Sequence, residues 1–283
     1  MNPQRLLKRN SFSELDARSR ARFLLDPGSM RELLGAFDRI KSPWLEMQGI
    51  TTQADDGVVV AKGTINGHPS VILAIEGAYQ GGSIGEVGGA KFATALNLAA
   101  QDNRRGIPTS AVLVLETGGV RLQEANLGLA AIADIHSAII DLRRYQPVIG
   151  IAVGTVGCYG GMSISAGLCS YLIASRETRL GLNGPAVIEQ EAGINEFDAR
   201  DKPFIWRFTG GEQRYLSKLV DAYVPDDTQE ILATVASLMS RGLPRRHRSD
   251  SYQEFLDCMA DINVHEQATP ETIRWIYRKE FDA

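Results

Sequence analysis

The 283-residue chain is 44% hydrophobic, which is ample for a sizeable core, and its formal charge of −4 and pI near 5.7 argue against bulk nucleic-acid binding. No apolar run approaches the roughly 18 residues of a membrane span, and the polar start MNPQRLLKRN has no signal-peptide core, so a soluble cytoplasmic protein with no membrane partner is expected. Three cysteines (Cys158, Cys169, Cys258) and four histidines (His68, His136, His247, His265) show no ligand spacing, which predicts neither a disulfide framework nor a metal site.

In chain order, Ser13 and Asp16 before an apolar-periodic run predict a first helix reaching about Leu25, broken by Asp26-Pro27-Gly28. Ser29-x-x-Glu32 reads as a capping box opening a second short helix. Val58 to Ile65 and Ser70 to Ile75 flank Asn66-Gly67, a hairpin signature. The cluster Gly81-Gly82-Ser83-Ile84-Gly85-Glu86 leads into a helix from about Gly89 to Asp102, with Phe92, Ala95, Leu96 and Ala99 as its buried stripe and Gly106-Ile107-Pro108 as its stop. Ala111 to Leu115 is a buried strand running into ETGGVRLQE, Glu116 to Glu124. A long helix follows, with Leu122, Leu129, Ile132, Ile135 and Ile139 on one side and an end near Arg144.

Val148 to Val153 is uncharged and rich in β-branched residues, as a strand buried on both faces should be. Gly154, Gly157, Gly160 and Gly161 follow, and Met162 to Ala166 are small and apolar enough to open a buried helix. Ser170 to Ala174 reads as a further strand and Arg179 to Leu182 as an extended segment. The tail is helical over Gln229 to Arg241, stopped by Gly242 and Pro244, over Tyr252 to Ala260, and in a last amphipathic helix capped at Thr269-Pro270.

Strands alternating with helices imply parallel pairing and a layered α/β core. Three glycine turns at the same ends of neighbouring strands gather N–H donors around one crevice. At the central turn no phosphate-loop lysine follows and the dinucleotide spacing is not met, so a nucleotide cradle fits poorly. An oxyanion hole fits better, with the Gly160 and Gly161 N–H groups aimed at a carbonyl oxygen that gains charge. Spacing alone leaves a second reading open, a glycine-rich crossing where helix packs closely on strand.

Taken together, the three turns resemble the carboxyltransferase branch of the crotonase-like superfamily. Its members carry a GGSxGE stretch, a GG-x-R-x-QE stretch and a strand followed by a turn ending in GG. Here these stand as Gly81 to Glu86, Gly118 to Glu124, and Gly154 to Gly161. LLDPGS at Leu24 to Ser29 matches the family's amino-terminal helix break, and the resemblance runs from about Ala17 to Val224. Within the branch, Gly184 to Gly193, Glu196 to Asp201, Trp206-Arg207 and Thr209-Gly210-Gly211 are similar to the β subunits of biotin-independent malonate decarboxylases. The chain lacks the four-cysteine zinc ribbon of the bacterial acetyl-CoA carboxylase β subunit. It also supplies only the half that resembles the amino-terminal domain of two-domain propionyl-type carboxyltransferases.

The resemblance implies one crotonase-like α/β domain over residues 1–283, with a helical arm over 1–40 and a helical extension over 225–283. It implies decarboxylation of malonyl-S-acyl-carrier-protein to acetyl-S-acyl-carrier-protein and CO2 through an enolate, in a site shared with a γ subunit of related fold. The carrier protein and an acyl-transferase subunit complete the assembly. No cofactor is bound by this chain, because the substrate rides on the carrier's phosphoribosyl-dephospho-CoA-type prosthetic group. By motif match, Gly160 and Gly161 hold the enolate oxygen, helped by Ser83 or Ile84 beside Gly82. Gly118 and Gly119 floor the passage of the pantetheine arm. Tyr159 is the candidate proton donor against a packing role, Cys158 a small buried filler, and Arg121 a partner for Glu124 or for a subunit. Glu189, Glu191 and Glu196 read as a solvated or interface face. Arg241, Arg245, Arg246 and Arg248 read as a solvated linker, with contact to the carrier or its phosphates as the alternative. Two competing functions are a carboxyltransferase subunit that passes the carboxyl group to biotin, and a non-catalytic scaffold that binds the carrier.

Overall fold

Asn66 and Gly67 take φ of 48° and 78°, the left-handed pair that a two-residue hairpin turn requires, and the strands on either side follow from it. This is a computed structural model that describes residues 9–51, 57–263 and 268–281. Strands β2 (Val58–Ile65) and β3 (His68–Ile75) pair antiparallel from Val58↔Ile75 to Ile65↔His68. Strands β4 (Ser110–Leu115), β5 (Val148–Ala152), β6 (Tyr171–Ser175) and β7 (Ala222–Val224) then add in parallel. With β1 (Arg31–Leu34) antiparallel on β2, seven strands stand in sequence order. Helices α2 (Glu86–Arg104), α3 (Asn126–Leu142) and α4 (Gly161–Leu168) make the first three parallel crossovers. The α/β reading of the sequence holds.

Both faces of the sheet are buried, and strand alternation decides which side chain serves which face. Leu73, Leu113 and Leu172 pack with Phe92 and Leu96 of α2 and Ile135 and Ile139 of α3. Ile72, Val112, Ile149 and Ile173 pack on the other face, with Leu24 of α1 (Ala17–Leu24) and Val235 and Leu238 of α8 (Thr228–Arg241). Helix α1 is capped as expected, the Asp16 carboxylate accepting from Ser19 N at 2.6 Å. The Asp226 carboxylate ties residues 9–13 to the segment after β7, accepting from Arg9, Ser11 and Ser13.

Two expectations fail. Ser29-x-x-Glu32 opens no helix: Arg31–Leu34 is β1, paired to Val60, Ala61 and Lys62. Ser29 Oγ accepts from Thr64 N at 3.1 Å and Glu32 pairs with Arg18 at 2.6 Å, so neither side chain is left to cap. Leu122 and Leu129 are the second failure, 85% and 57% exposed, whereas Ile132, Ile135 and Ile139 are buried as predicted. Leu122 lies in a short 3-10 turn over Leu122–Glu124, and Ala125, at φ 49°, breaks the chain before α3 begins. The periodicity counted through Leu122 therefore spans two elements. Between β6 and β7 run α5 (Pro185–Ala192), α6 (Lys202–Thr209) and α7 (Gly211–Leu216), which the sequence reading did not foresee. The tail ends in α9 (Tyr252–Ala260) and α10 (Pro270–Phe281), where Thr272 N donates to Thr269 Oγ1 at 3.1 Å.

Candidate active site

Because β3, β4 and β5 run parallel, the three glycine turns leave the sheet at one edge, the C-terminal one. Beyond the main sheet the turns are knitted together by isolated bridges: Ile84↔Val120, Thr117↔Cys158 and Cys158↔Leu180 in parallel, and Arg179↔Gly210 antiparallel. Thr117 N donates to Gly157 O at 2.7 Å and Tyr159 N to Thr117 O at 2.9 Å. Cys158 N donates to Arg179 O at 2.8 Å. Gly119 and Gly160 then cross in contact. A methyl group on Gly160, whose φ is 62°, would lie 2.9 Å from Gly119 Cα.

This frame divides the N–H groups of the turns. Gly160 donates to Leu182 O at 2.8 Å, so it is not free for a ligand, contrary to expectation. Ser83 N donates to Gln80 O at 3.3 Å and Ile84 N to Gly119 O at 2.9 Å, so neither N–H is left over as an extra donor. Gly82 and Gly118 are likewise engaged, with Tyr79 O at 2.9 Å and Gly81 O at 2.8 Å. Gly119 N reaches Thr117 Oγ1 at 3.0 Å. Where the turns cross, over Gly118–Arg121 and Cys158–Gly161, two N–H groups have no acceptor among the described residues. One is Gly161, first residue of α4, where no intrahelical acceptor exists. The other is Val120. In its bridge Ile84 takes Gly119 O and gives its own carbonyl to Arg121 N at 2.8 Å, which turns the Val120 N–H away from Ile84. Val120 N lies beside the crossing, since a methyl added to Gly160 would stand 3.6 Å from it.

Arg121 is buried and belongs to the wall. Its guanidinium pairs with Glu124 at 2.9 Å and donates to Ser83 O at 2.9 Å, with Nε 3.3 Å from Ser83 Oγ, while Glu124 also accepts from Glu86 N at 2.7 Å. The pairing with Glu124 expected of Arg121 is present. Tyr159 is 4% exposed, its ring against Gly157 and Gly181, and its hydroxyl is buried with no hydrogen-bond partner among the described residues. Burial raises its pKa, opposed by the field of Arg179 and by the Thr209 hydroxyl, which lies nearby but outside hydrogen-bond geometry. Cys158 is a fully buried filler whose thiol burial pushes upward. The arginines of the tail are partly structural: Arg246 pairs with Glu254 at 2.8 Å and Arg248 reaches Asp221 and Gly167 O.

Three participants escaped sequence reasoning. Val120 N is left without an acceptor by its position in the bridge and not by its residue type, so no motif marks it. His136 Nε2 lies 3.0 Å from Gly161 O, bracing the first turn of α4 from α3. The one sequence signal is its spacing of four from Ile132, whose side chain packs on Gly161. The third is Glu116, buried beneath the turns and paired with Arg20 at 2.7 Å. Among the described residues no group of three or more His, Cys, Asp or Glu is placed to hold a metal ion, and no helix is long and apolar enough to cross a membrane.

Strands in sequence order, with glycine turns crossing at their C-terminal edge, define a carboxyltransferase-type domain of the crotonase fold. The carboxyl transferase domain family matches residues 9–260, and the chain belongs to that family. It is 60% identical, with a TM-score of 0.92, to a chain of a Pseudomonas malonate decarboxylase hetero-tetramer in complex with malonate, covering 98% of this chain and 100% of that one. A chain of a Pseudomonas malonate decarboxylase hetero-dimer is 55% identical with a TM-score of 0.76, covering 90% of this chain and 99% of that one. The malonyl-S-ACP:biotin-protein carboxyltransferase of Malonomonas rubra is 38% identical over 245 residues, 83% of this chain and 77% of that protein. These matches bear out the resemblance to malonate decarboxylase subunits drawn from Gly184 to Gly193, Glu196 to Asp201, Trp206-Arg207 and Thr209-Gly210-Gly211.

Proposed function

We propose that the chain is the thioester-binding subunit of a malonyl-S-acyl-carrier-protein decarboxylase. The observation that carries this reading is the pair of unengaged backbone donors, Val120 N–H and Gly161 N–H, on either side of the Gly119–Gly160 crossing. When the bond between the α carbon and the carboxylate breaks, its electron pair moves toward the thioester oxygen and CO2 departs. The enolate oxygen gains charge that the ground-state carbonyl lacks, so a fixed donor there lowers the barrier more than it tightens binding. One such donor is worth about 2.7–4 kcal/mol. Glycine at 119 and 160 is what lets the two turns approach closely enough to share one oxygen.

A proton must then reach the α carbon. Tyr159 was the sequence candidate, but its hydroxyl is enclosed, so we assign that step to water. Leu122, Leu129, Ile164 and Leu182 stand exposed on the segments that carry the turns, an apolar surface suited to a second subunit. The γ subunit of related fold is proposed to cover it, with the carrier protein delivering the malonyl group on its prosthetic arm and the acyl-transferase subunit loading it. Transfer of the carboxyl group to biotin is the second reading, favoured by the Malonomonas rubra relative but at lower identity than the decarboxylase chains. The test is CO2 release from malonyl-S-carrier and malonyl-CoA by the complex reconstituted with the γ subunit, with and without avidin. Avidin-insensitive release is expected. Complete inhibition by avidin would replace decarboxylation with transfer.

A further inference from the structure

Glu116 follows β4 at the root of the site, and its contacts reach the two neighbouring glycine turns. Its carboxylate is so close that a methyl on Gly77 would lie 2.4 Å from Cδ and one on Gly154, at φ 82°, would lie 1.9 Å from it. Its backbone oxygen fills the same role under Gly82, where a methyl would lie 2.0 Å away. Oε1 accepts from Val156 N at 3.3 Å. Oε2 accepts from Arg20 Nη1 at 2.7 Å, and both side chains are less than a tenth exposed. The same guanidinium donates to Phe12 O at 3.1 Å and Ser13 O at 2.6 Å. Helix α1 is thereby clamped to the floor of the turns, and Ala17 N adds a bond of 2.9 Å to Glu76.

Stability alone does not account for a charged pair there, since well-packed apolar residues often replace buried pairs at no loss. Position does account for it. The bond to Val156 fixes the Gly154–Gly157 turn, and Gly157 O in turn holds Thr117 N at 2.7 Å, three residues before Val120. We propose that the buried Arg20–Glu116 pair is a positioning device that sets the spacing between the Val120 and Gly161 donors. The inference rests on the oxyanion reading above. Neither residue touches the reacting atoms; both act through the turns.

The experiment uses the full complex with the γ subunit and two variants. Glu116→Gln keeps the shape and the acceptor for Val156 but removes the charge. Arg20→Met with Glu116→Gln removes both charges, leaving no buried ion alone. A misplacement of about 1 Å can cost about a hundredfold in rate, so kcat per assembled complex should fall about ten- to a hundredfold in each, with KM within about threefold. Sizing chromatography supplies the assembled fraction. A double variant that assembles and turns over at the wild-type kcat overturns the proposal, as does a loss of activity that only tracks loss of complex. The same variants are also measured for carboxyl transfer to biotin, which passes through the same enolate. Wild-type complex active only in that assay would refute the decarboxylase reading, while the effect of the variants there would still decide the role of the pair.

Discussion

Deleting the Gly161 N–H is the sharpest test of the site, and the structure dictates how it must be done. Proline at 161 removes the donor and suits the first position of α4, where the N–H has no intrahelical acceptor. Any side chain there collides with α3, however, since a methyl on Gly161 would lie 2.7 Å from Ile132 Cγ2 and 3.3 Å from Cγ1. Space is therefore made with Ile132→Ala, a truncation of a kind that costs about 2–5 kcal/mol, less whatever the new ring refills. The control is Gly161→Ala with Ile132→Ala, which has the same relief and an intact donor. One oxyanion donor is worth about 2.7–4 kcal/mol, and about 1.4 kcal/mol is tenfold. The proline variant should then fall about a hundred- to a thousandfold below its control in kcat, with a smaller change in KM. Turnover is followed as CO2 release and normalised to complex resolved by sizing chromatography. A well-assembled proline variant that matches its alanine control would remove Gly161 from the chemistry.

Tyr159→Phe should leave kcat within about twofold and stability equal or higher, because an unpartnered buried hydroxyl costs about 1–3 kcal/mol; a hundredfold loss of turnover would return the proton to Tyr159. Asp226 gives a pH signature. Burial pushes its carboxyl up, but hydrogen bonds from Ser11, Ser13 and Arg9 outweigh burial and hold the pKa below the ordinary range. A carboxyl lowered on folding stabilises above its unfolded pKa, near about 3.9, and that stabilisation is lost as pH falls through the folded value. Asp226→Asn should accordingly lower the unfolding free energy by about 1.5–3 kcal/mol at pH 7, with the deficit shrinking below about pH 4; an equal deficit by denaturant titration at both ends would refute this. Leu122→Asp should leave the chain folded, as 85% exposure allows, while weakening association with the γ subunit, and unchanged co-elution would take this surface out of the interface.

The elements legible in the sequence are those whose signals are local. Asn66-Gly67 fixed the hairpin because two left-handed residues leave the chain one way to return. Ile132, Ile135 and Ile139 marked the buried face of α3 because nothing interrupts their period. What failed depends on distant partners. Ser29 and Glu32 look like a cap until Thr64 and Arg18 claim them. Helix α5 buries none of its residues, so it has no stripe to read. At the site, Gly82, Ser83, Ile84, Gly118, Gly119, Arg121, Tyr159, Gly160 and Gly161 all lie on the three turns that the fold brings to one sheet edge, yet no sequence signal shows which of their N–H groups the fold engages. Whether Gly160 points its N–H at Leu182 or at a ligand depends on a contact 22 residues along the chain.

That division follows from parallel register. In a parallel bridge one residue uses both its backbone groups on its partner's neighbours, and the partner's own N–H is left pointing the opposite way. Ile84 is the residue so engaged, and Val120 is the one left over. A slip of one residue would present Gly119 in place of Val120, and the N–H of Gly119 is held by Thr117 Oγ1. The donor set therefore depends on pairing more than on the side chain at position 120. The glycines do separate work: at 119 and 160 they permit the crossing, and at 154 they leave room for Glu116. A motif scan finds the glycines, because only they are constrained by identity. The groups that would meet the enolate oxygen belong to the backbone: the Ile84–Val120 bridge leaves one unengaged, and the start of α4 the other.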